Sequence, residues 1–362
     1  MTSDITLLVN PTAGRGRGAQ AAHPAARAFQ DAGHRVRTVV GTDAGDALRR
    51  AREAVAEGTG ALVAVGGDGM VSLALQAVGG TAIPLGVIPV GTGNDFARCL
   101  GLPAGDPAAA GRVAVAALAD GGRTIDLGRV EGTGTGTGTG TGAASGPAPA
   151  PAPAPVPAPV PAPVPAPAPA PVPAPVSAPG PAGQDGGRWF ATVLASGFDS
   201  RVNDRGNRMR LPVGRFRYDL AILAELAAFR PLAYRLTLDD GTETRIAATL
   251  VAVGNGTSYG GGMRICADAR LDDGLLDVTV VGDCSRTELI KVFPRVYKGT
   301  HLDHPKVTSH RVRALTVDAP GITGYADGEP LGPLPLTVRC VPGALRVLAP
   351  RGPSGEAAGT GR

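Results

Sequence analysis

Three glycine-rich turns carry the first chemical signal in this sequence: Asn10-Pro11-Thr12-Ala13-Gly14, Gly66-Gly67-Asp68-Gly69 and Gly91-Thr92-Gly93-Asn94-Asp95. Glycine lets the main chain approach an anion closely and aim N–H groups at it, and a helix beginning after such a turn adds partial positive charge. Together the turns suit a polyphosphate, with Asp68 and Asp95 embedded in them and Arg15 and Arg17 nearby in the chain. Any one alone reads equally well as an ordinary strand-to-helix turn, so the ligand reading rests on all three converging. Neither the GxxxxGK(S/T) loop nor the GxGxxG fingerprint stands where it would have to, and the phosphates are expected to be held in another way.

Each turn follows a short apolar run: Ile5 to Val9, Leu62 to Val65 and Leu85 to Ile88. Another such run covers Val36 to Val40, and helical spacing appears near Ala19 to Ala32 and near Asp46 to Ala56. On the second of these helices Ala47, Leu48, Ala51 and Val55 share a face, and Asp43 or Asp46 is available to cap the first turn. This alternation predicts an N-terminal α/β domain, a parallel sheet with helices on both faces and its ligand site at the carboxyl ends of the strands. After Arg188 the pattern changes to strands separated by turns, over Leu232 to Leu238, Ile246 to Val253, Leu275 to Val281, Val312 to Val317 and Leu334 to Val341. With helices over Tyr218 to Phe229 and Arg286 to Tyr297, this predicts a β-rich, mostly antiparallel C-terminal domain.

Between the two halves lies a stretch that cannot build a core. Of 34 prolines in 362 residues, 17 fall between Gly146 and Gly187, after a Gly-Thr repeat over Gly132 to Gly142. Residues 131–187 therefore read as a long disordered insert, flexible in its Gly-Thr part and polyproline-like in its Pro-Ala part. Its flanks, Ile125 to Val130 and Trp189 to Leu194, read as two strands of an expanded hairpin. The 35 basic and 31 acidic residues give a net charge of +4, too balanced for a nucleic-acid coat or a polybasic tail. Four cysteines without a CxxC pair and an N-terminus without a leader pattern suggest a reducing cytosol. No apolar run reaches the roughly 20 residues needed to cross a bilayer, so any membrane work is expected at its surface. The densest basic stretch, Arg201, Arg205, Arg208, Arg210, Arg215 and Arg217, suits anionic head groups or a solvated loop equally. His301, His304 and His310 read as ordinary surface histidines.

The motifs resemble the diacylglycerol kinase catalytic domain of the bacterial lipid kinases, a family related to sphingosine and ceramide kinases. The resemblance runs through Val9 to Gly14, Gly66 to Gly69, Pro89 to Arg98, Asp126-Leu127-Gly128, Gly197-Phe198-Asp199, Asn255-Gly256, Gly260-Gly261-Gly262, Asp273 to Asp277 and Asp327-Gly328-Glu329-Pro330. It implies a nucleotide-binding domain over 1–128, completed by a C-terminal segment at about 324–350. A lipid-binding β-rich domain would cover 188–323 and a disordered tail 351–362.

The activity implied is transfer of the γ-phosphoryl group of ATP, with Mg²⁺, to a lipid hydroxyl, diacylglycerol being the first guess. An NAD kinase-type phosphotransferase and a non-catalytic lipid or nucleotide binder are the alternatives. By resemblance ATP would meet Asn10, Pro11, Thr12, Ala13, Gly14, Thr42, Gly66, Gly67, Asp68, Gly69, Met70, Val71, Ser72, Leu73, Gly91, Thr92, Gly93 and Asn94. Asp68 would help hold the catalytic Mg²⁺, and Asp327 or Glu329 would take the hydroxyl proton, the other orienting metal or nucleotide. Without the glycine turns, Asp327-Gly328 reads as a plain hairpin turn. A second, structural Mg²⁺ would sit on Asp273 and the carbonyls of Arg270 and Leu275, linked through water to Asp95 and Asp126; a simple turn is the competing account. The sequence departs from the family at Met70-Val71-Ser72, where Thr, a hydrophobic residue and Asn are usual. The expected partner is a lipid at the cytoplasmic membrane surface rather than a nucleic acid, with room for a homodimer.

Overall fold

The computed structural model describes residues 3–11, 13–131, 187–198, 200 and 231–351. Thr12, Asp199, the insert at 132–186, the arginines from Arg201 to Arg217, the helix expected over Tyr218 to Phe229 and the tail from 352 onward lie outside the described residues, as does the side chain of Arg15.

Four strands, β1 (Asp4–Val9), β2 (Arg35–Val40), β3 (Ala61–Gly66) and β4 (Leu85–Pro89), run parallel in the order β4-β3-β1-β2. In β1, β3 and β4 the apolar runs are nearly continuous because both faces are covered, whereas β2, at the edge of the sheet, is mostly exposed. Leu62 and Ala64 of β3 pack with Ala51 and Leu75 of α2 (Ala44–Ala56) and α3 (Asp68–Val78). Ala61, Val63 and Val65 turn the other way, toward Ala25, Phe29 and Ala114 of α1 (Ala13–Asp31) and α5 (Pro107–Ala119). The short α4 (Asp95–Cys99) follows the third glycine turn. Asp43 caps α2 by accepting from Asp46 N at 2.9 Å, and Asp106 caps α5 by accepting from Ala109 N at 2.9 Å.

Helix α1 starts six residues before the expected Ala19. Gly16 and Gly18 make that first turn read as loop, yet Gly18 is there because α1 grazes β1: a Cβ at Gly18 would lie 1.9 Å from the Asn10 carbonyl oxygen.

The second half contains β5 (Arg123–Val130), β6 (Arg188–Phe190), β7 (Val193–Gly197), β8 (Leu232–Leu238), β9 (Glu243–Gly254), β10 (Leu276–Gly282), α6 (Arg286–Lys298), a 3₁₀ turn at Thr300–Asp303, β11 (Val307–Val312), β12 (Ala314–Asp318), β13 (Thr323–Ala326), β14 (Glu329–Pro333) and β15 (Leu336–Val347). It is antiparallel, as the period-2 pattern predicts. β5 and β6 pair antiparallel with Val130 opposite Arg188. β15 joins the halves: it pairs antiparallel with β5 and β12 and touches β4 in parallel at Val347 opposite Leu85. One sheet therefore runs β14-β13-β7-β9-β8-β12-β15-β4-β3-β1-β2, and hydrogen bonds along it fix the β-rich part against the glycine turns.

Three expectations need correction. The single strand over Trp189 to Leu194 breaks at Ala191-Thr192, whose N–H groups are turned toward Asp327. The strand over Val312 to Val317 breaks at Arg313, whose N–H donates to Asp239 Oδ2 at 2.9 Å. His301 is no surface residue but fully buried: left-handed Gly299 turns the chain back after α6, and the ring meets the Ile265 carbonyl at 2.9 Å. Burial lowers its pKa.

Candidate active site

A cleft of about 730 Å³ opens at the carboxyl ends of β1, β3 and β4. Asn10, Pro11, Ala13, Thr42, Gly67, Asp68, Gly69, Met70, Leu73, Gly91, Thr92 and Gly93 line it, joined by Asp43 and Ala44 at the start of α2 and by Glu329 from the far side. The other residues expected at the nucleotide take supporting positions. Gly14 lies in the first turn of α1, and Gly66 ends β3. Val71 and Ser72 are buried on the inner side of α3. Asn94 is buried with φ 56°, its Nδ2 donating to the Gly91 carbonyl at 2.8 Å.

The glycine turns are tied to one another. Asp68 accepts from Asn94 N and Asp95 N, each at 2.7 Å, so one carboxylate docks the Gly66 to Gly69 turn on the Gly91 to Asp95 turn. Above it the two backbones nearly touch: a Cβ at Gly91 would come within 2.5 Å of the Gly67 Cα. The result is a floor of main chain with the N-termini of α1 and α3 at its edge, the surface that anionic oxygens require.

The opposite wall is the β13–β14 hairpin. Asp327 and Gly328 form its two-residue loop, both with positive φ (50° and 84°), as a tight primed turn demands. The plain-turn reading and the functional reading thus describe the same residues, for the turn positions two carboxylates differently. Asp327 points back into the protein, where its oxygens accept from Ala191 N at 2.8 Å, Thr192 N at 2.9 Å and Thr192 Oγ1 at 2.5 Å. Burial raises its pKa and the charge of Asp68 adds to this, while the three donors oppose it. Glu329 faces the cleft, with Oε1 close enough to the start of α3 that a Cβ at Gly69 would lie 3.3 Å from it.

A third group of acids knits the wall together. Asp126 is buried and accepts from Gly274 N at 2.6 Å and Gly343 N at 2.8 Å. Asp95 Oδ2 accepts from Gly261 N at 2.8 Å, whereas buried Oδ1 has no partner among the described residues. Desolvation raises the pKa of both. Asp273 accepts from Leu275 N at 3.1 Å and pairs with Arg311, and Asp272 pairs with Arg123 at 2.9 Å. Among the described residues no three His, Cys, Asp or Glu side chains are grouped to hold a metal.

Sequence reasoning assigned no role to three supports, of which only Asn255 stood in a motif. Asn255, fully buried, donates from Nδ2 to the carbonyls of Asp126 and Ala191, each at 3.0 Å, linking the acid group to the strand break that holds Asp327. Thr192 gave no signal, because threonine in an apolar run reads as strand. Gln76 of α3 exchanges two hydrogen bonds with the main chain of Trp189, at 2.8 and 3.0 Å, an arrangement that spacing alone does not reveal.

This two-sided cleft has a counterpart among known proteins. The diacylglycerol kinase catalytic domain matches residues 4–130, and the YegS C-terminal NAD kinase beta sandwich-like domain matches 192–349. A diacylglycerol kinase of Mycobacterium tuberculosis is 43% identical over 350 residues, which cover 96% of this chain and 95% of the relative. The chain belongs to the diacylglycerol kinase family of lipid kinases. Another family member, a diacylglycerol kinase of Bacillus subtilis, is 25% identical over 91% of this chain and 90% of its own. The fold matches a diacylglycerol kinase structure from Bacillus anthracis with a TM-score of 0.60 and 19% identity, over 96% of this chain and 97% of that one. As a member of this kinase family the protein is an enzyme, and no helix among its described residues is long and apolar enough to cross a membrane.

Proposed function

We propose that this kinase transfers the γ-phosphoryl group of ATP to a hydroxyl of a membrane lipid, diacylglycerol being the first substrate to test, and that it works from the cytoplasmic membrane surface. The observation that carries the reading is Glu329, a carboxylate on the β-rich side facing a floor of glycine main chain across one cleft. Phosphoryl transfer asks for phosphates held by main-chain donors, an acceptor hydroxyl in line and a carboxylate to take its proton. The three turns serve the first need and Glu329 the last. Asp327, with both oxygens engaged by Ala191 and Thr192, acts as the positioning residue that sets the hairpin.

Asp68 gives the cleft a hard oxygen donor, which suits Mg²⁺ sharing phosphate oxygens and water. When bound, the ion would offset charge on the phosphates. For the second Mg²⁺, on Asp273 and the carbonyls of Arg270 and Leu275, the fit is divided. The donorless Asp95 Oδ1 is an oxygen that cation-bound water would satisfy, while Asp273 already pairs with Arg311. A melting temperature raised by Mg²⁺ in the native chain but not in Asp273→Ala would support that site; equal responses would count against it.

Labelled ATP incubated with a lipid extract and, separately, with NAD tests the main reading. An organic-soluble labelled product supports it. Label on NAD alone supports the NAD kinase alternative, and no product with either supports the non-catalytic binder.

A further inference from the structure

Helix α6 shows solvent a face that its own fold does not explain. Val296 is buried in the core that includes Leu250, Ile265 and Cys266, and Val292, one turn before it, is buried as well. On the opposite side Ile290 is 56% and Tyr297 49% exposed. Phe293 stacks edge-on against Tyr297 at 6.0 Å, and Pro294 is exposed between them. Positions 290, 293, 294 and 297 follow the i, i+3, i+4, i+7 rule, so they form one ridge. Large exposed apolar side chains standing singly need no explanation, but a continuous ridge does.

The charges beside the ridge suggest what covers it. Arg286, Lys291, Arg295 and Lys298 lie on this helix with one acid, Glu288, and that acid is paired with Lys306 at 3.2 Å. Arg286, Lys291 and Lys298 have no acidic partner among the described residues. Lys291 and Lys298 project along one flank of the ridge and Arg286 stands near its start. An apolar stripe edged by free cations is the pattern of a helix lying in the interface of an anionic bilayer. The helix is also close to the site in bonded steps: Arg264 N donates to the Val296 carbonyl at 3.1 Å, Tyr259 and Met263 bridge one another, and Gly261 between them donates to Asp95.

We propose that the Ile290, Phe293, Pro294 and Tyr297 ridge of α6 seats the kinase on an anionic membrane surface. The proposal rests on the lipid kinase reading for its purpose, but the binding itself is measured without turnover. The full chain is sedimented with vesicles of phosphatidylcholine alone and of phosphatidylcholine with about 30 mol% phosphatidylglycerol. The native chain should pellet with the anionic vesicles only. Ile290→Ser with Tyr297→Ser, and separately Lys291→Glu with Lys298→Glu, should each lower the partition at least about tenfold at an unchanged melting temperature. Both variants should still phosphorylate a short-chain, water-soluble diacylglycerol at the native rate, while losing turnover on the same head group embedded in vesicles. Native-like pelleting of both variants would overturn the proposal, as would failure of the native chain to bind anionic vesicles. A soluble dimer that the Ile290/Tyr297 pair dissociates, without vesicle binding, would overturn it in favour of a second copy on this face. Vesicle binding with no phosphorylated product from either substrate would uphold the docking face and reject the lipid kinase reading.

Discussion

The two sides of the cleft hold their shape by opposite means. The floor is main chain at the ends of parallel strands, where Gly67 and Gly91 almost touch and Asp68 ties one turn to the next through backbone N–H groups. The facing wall is side chain: an antiparallel hairpin offers Glu329, and Asp327 fixes that hairpin through Ala191 and Thr192. The difference teaches where variation is tolerated. Apart from the Asp68 carboxylate that ties its turns, a floor of amides is indifferent to side-chain chemistry but not to an added Cβ, whereas the wall depends on which acid stands at each position.

The sharpest way to break this comparison is Glu329→Gln, which removes the charge and nearly keeps the shape. If Glu329 is the proton acceptor, kcat should fall about 10³-fold while the KM for ATP and the melting temperature stay close to native. Retained turnover would move the proton to another group. Next comes Gly91→Ala on the floor. Its methyl would meet the Gly67 backbone at 2.5 Å, so the chain must shift, at a cost of about 1–3 kcal/mol in stability together with weaker ATP binding. Unchanged ATP affinity would show that the floor is not the phosphate surface. Asp327→Asn should come third. The amide keeps one acceptor and turns an NH₂ toward an N–H that needs one, so about 2 kcal/mol of stability and part of kcat should be lost together. Loss of kcat at full stability would instead make Asp327 the base. Met70→Thr, which exchanges a floor side chain for the one usual in the family, should alter kcat and KM by less than about threefold; a larger gain would mean that the floor also reads nucleotide through side chains.

Much of this was legible in the sequence, for identifiable reasons. β1, β3 and β4 are buried on both faces and so appear as nearly unbroken apolar runs leading into the glycine turns, and β8 alternates because one of its faces is covered more than the other. What escaped reading is what depends on contacts distant along the chain. Ala191 and Thr192 look like strand, but the carboxylate that breaks the strand there comes from Asp327, 135 residues beyond Thr192. Nothing near His301 announces that left-handed Gly299 will fold it under α6. The glycine turns could be recognised as a set, yet the division of labour between Asp327 and Glu329 follows from alternation across a two-residue loop whose register appears only in the folded hairpin.

Asp95 gives the finest test of how the two sides are joined, since it begins α4 on the floor and accepts from Gly261 on the far side. Burial raises its pKa above the ordinary 3.8, and the nearby charge of Asp68 pushes the same way against the N–H groups of Gly261 and Gly262. The folded state therefore binds this proton more tightly than the unfolded chain does. Its contribution to stability is present in full below the unfolded value, declines as pH rises through the raised folded value, and is level above that. Asp95→Asn still accepts from Gly261 N and does not titrate. The melting temperature of Asp95→Asn minus that of the native chain should thus increase from about pH 4 toward about pH 7, whatever its sign at the acid end, as scanning fluorimetry would show. Parallel curves would mean that Oδ1 has gained a donor in solution. Repeating the titration with Mg²⁺ tells which kind: if the gap flattens only with the ion present, the donor is water held by a cation in the Asp273 loop, and the junction between floor and wall is metal-dependent.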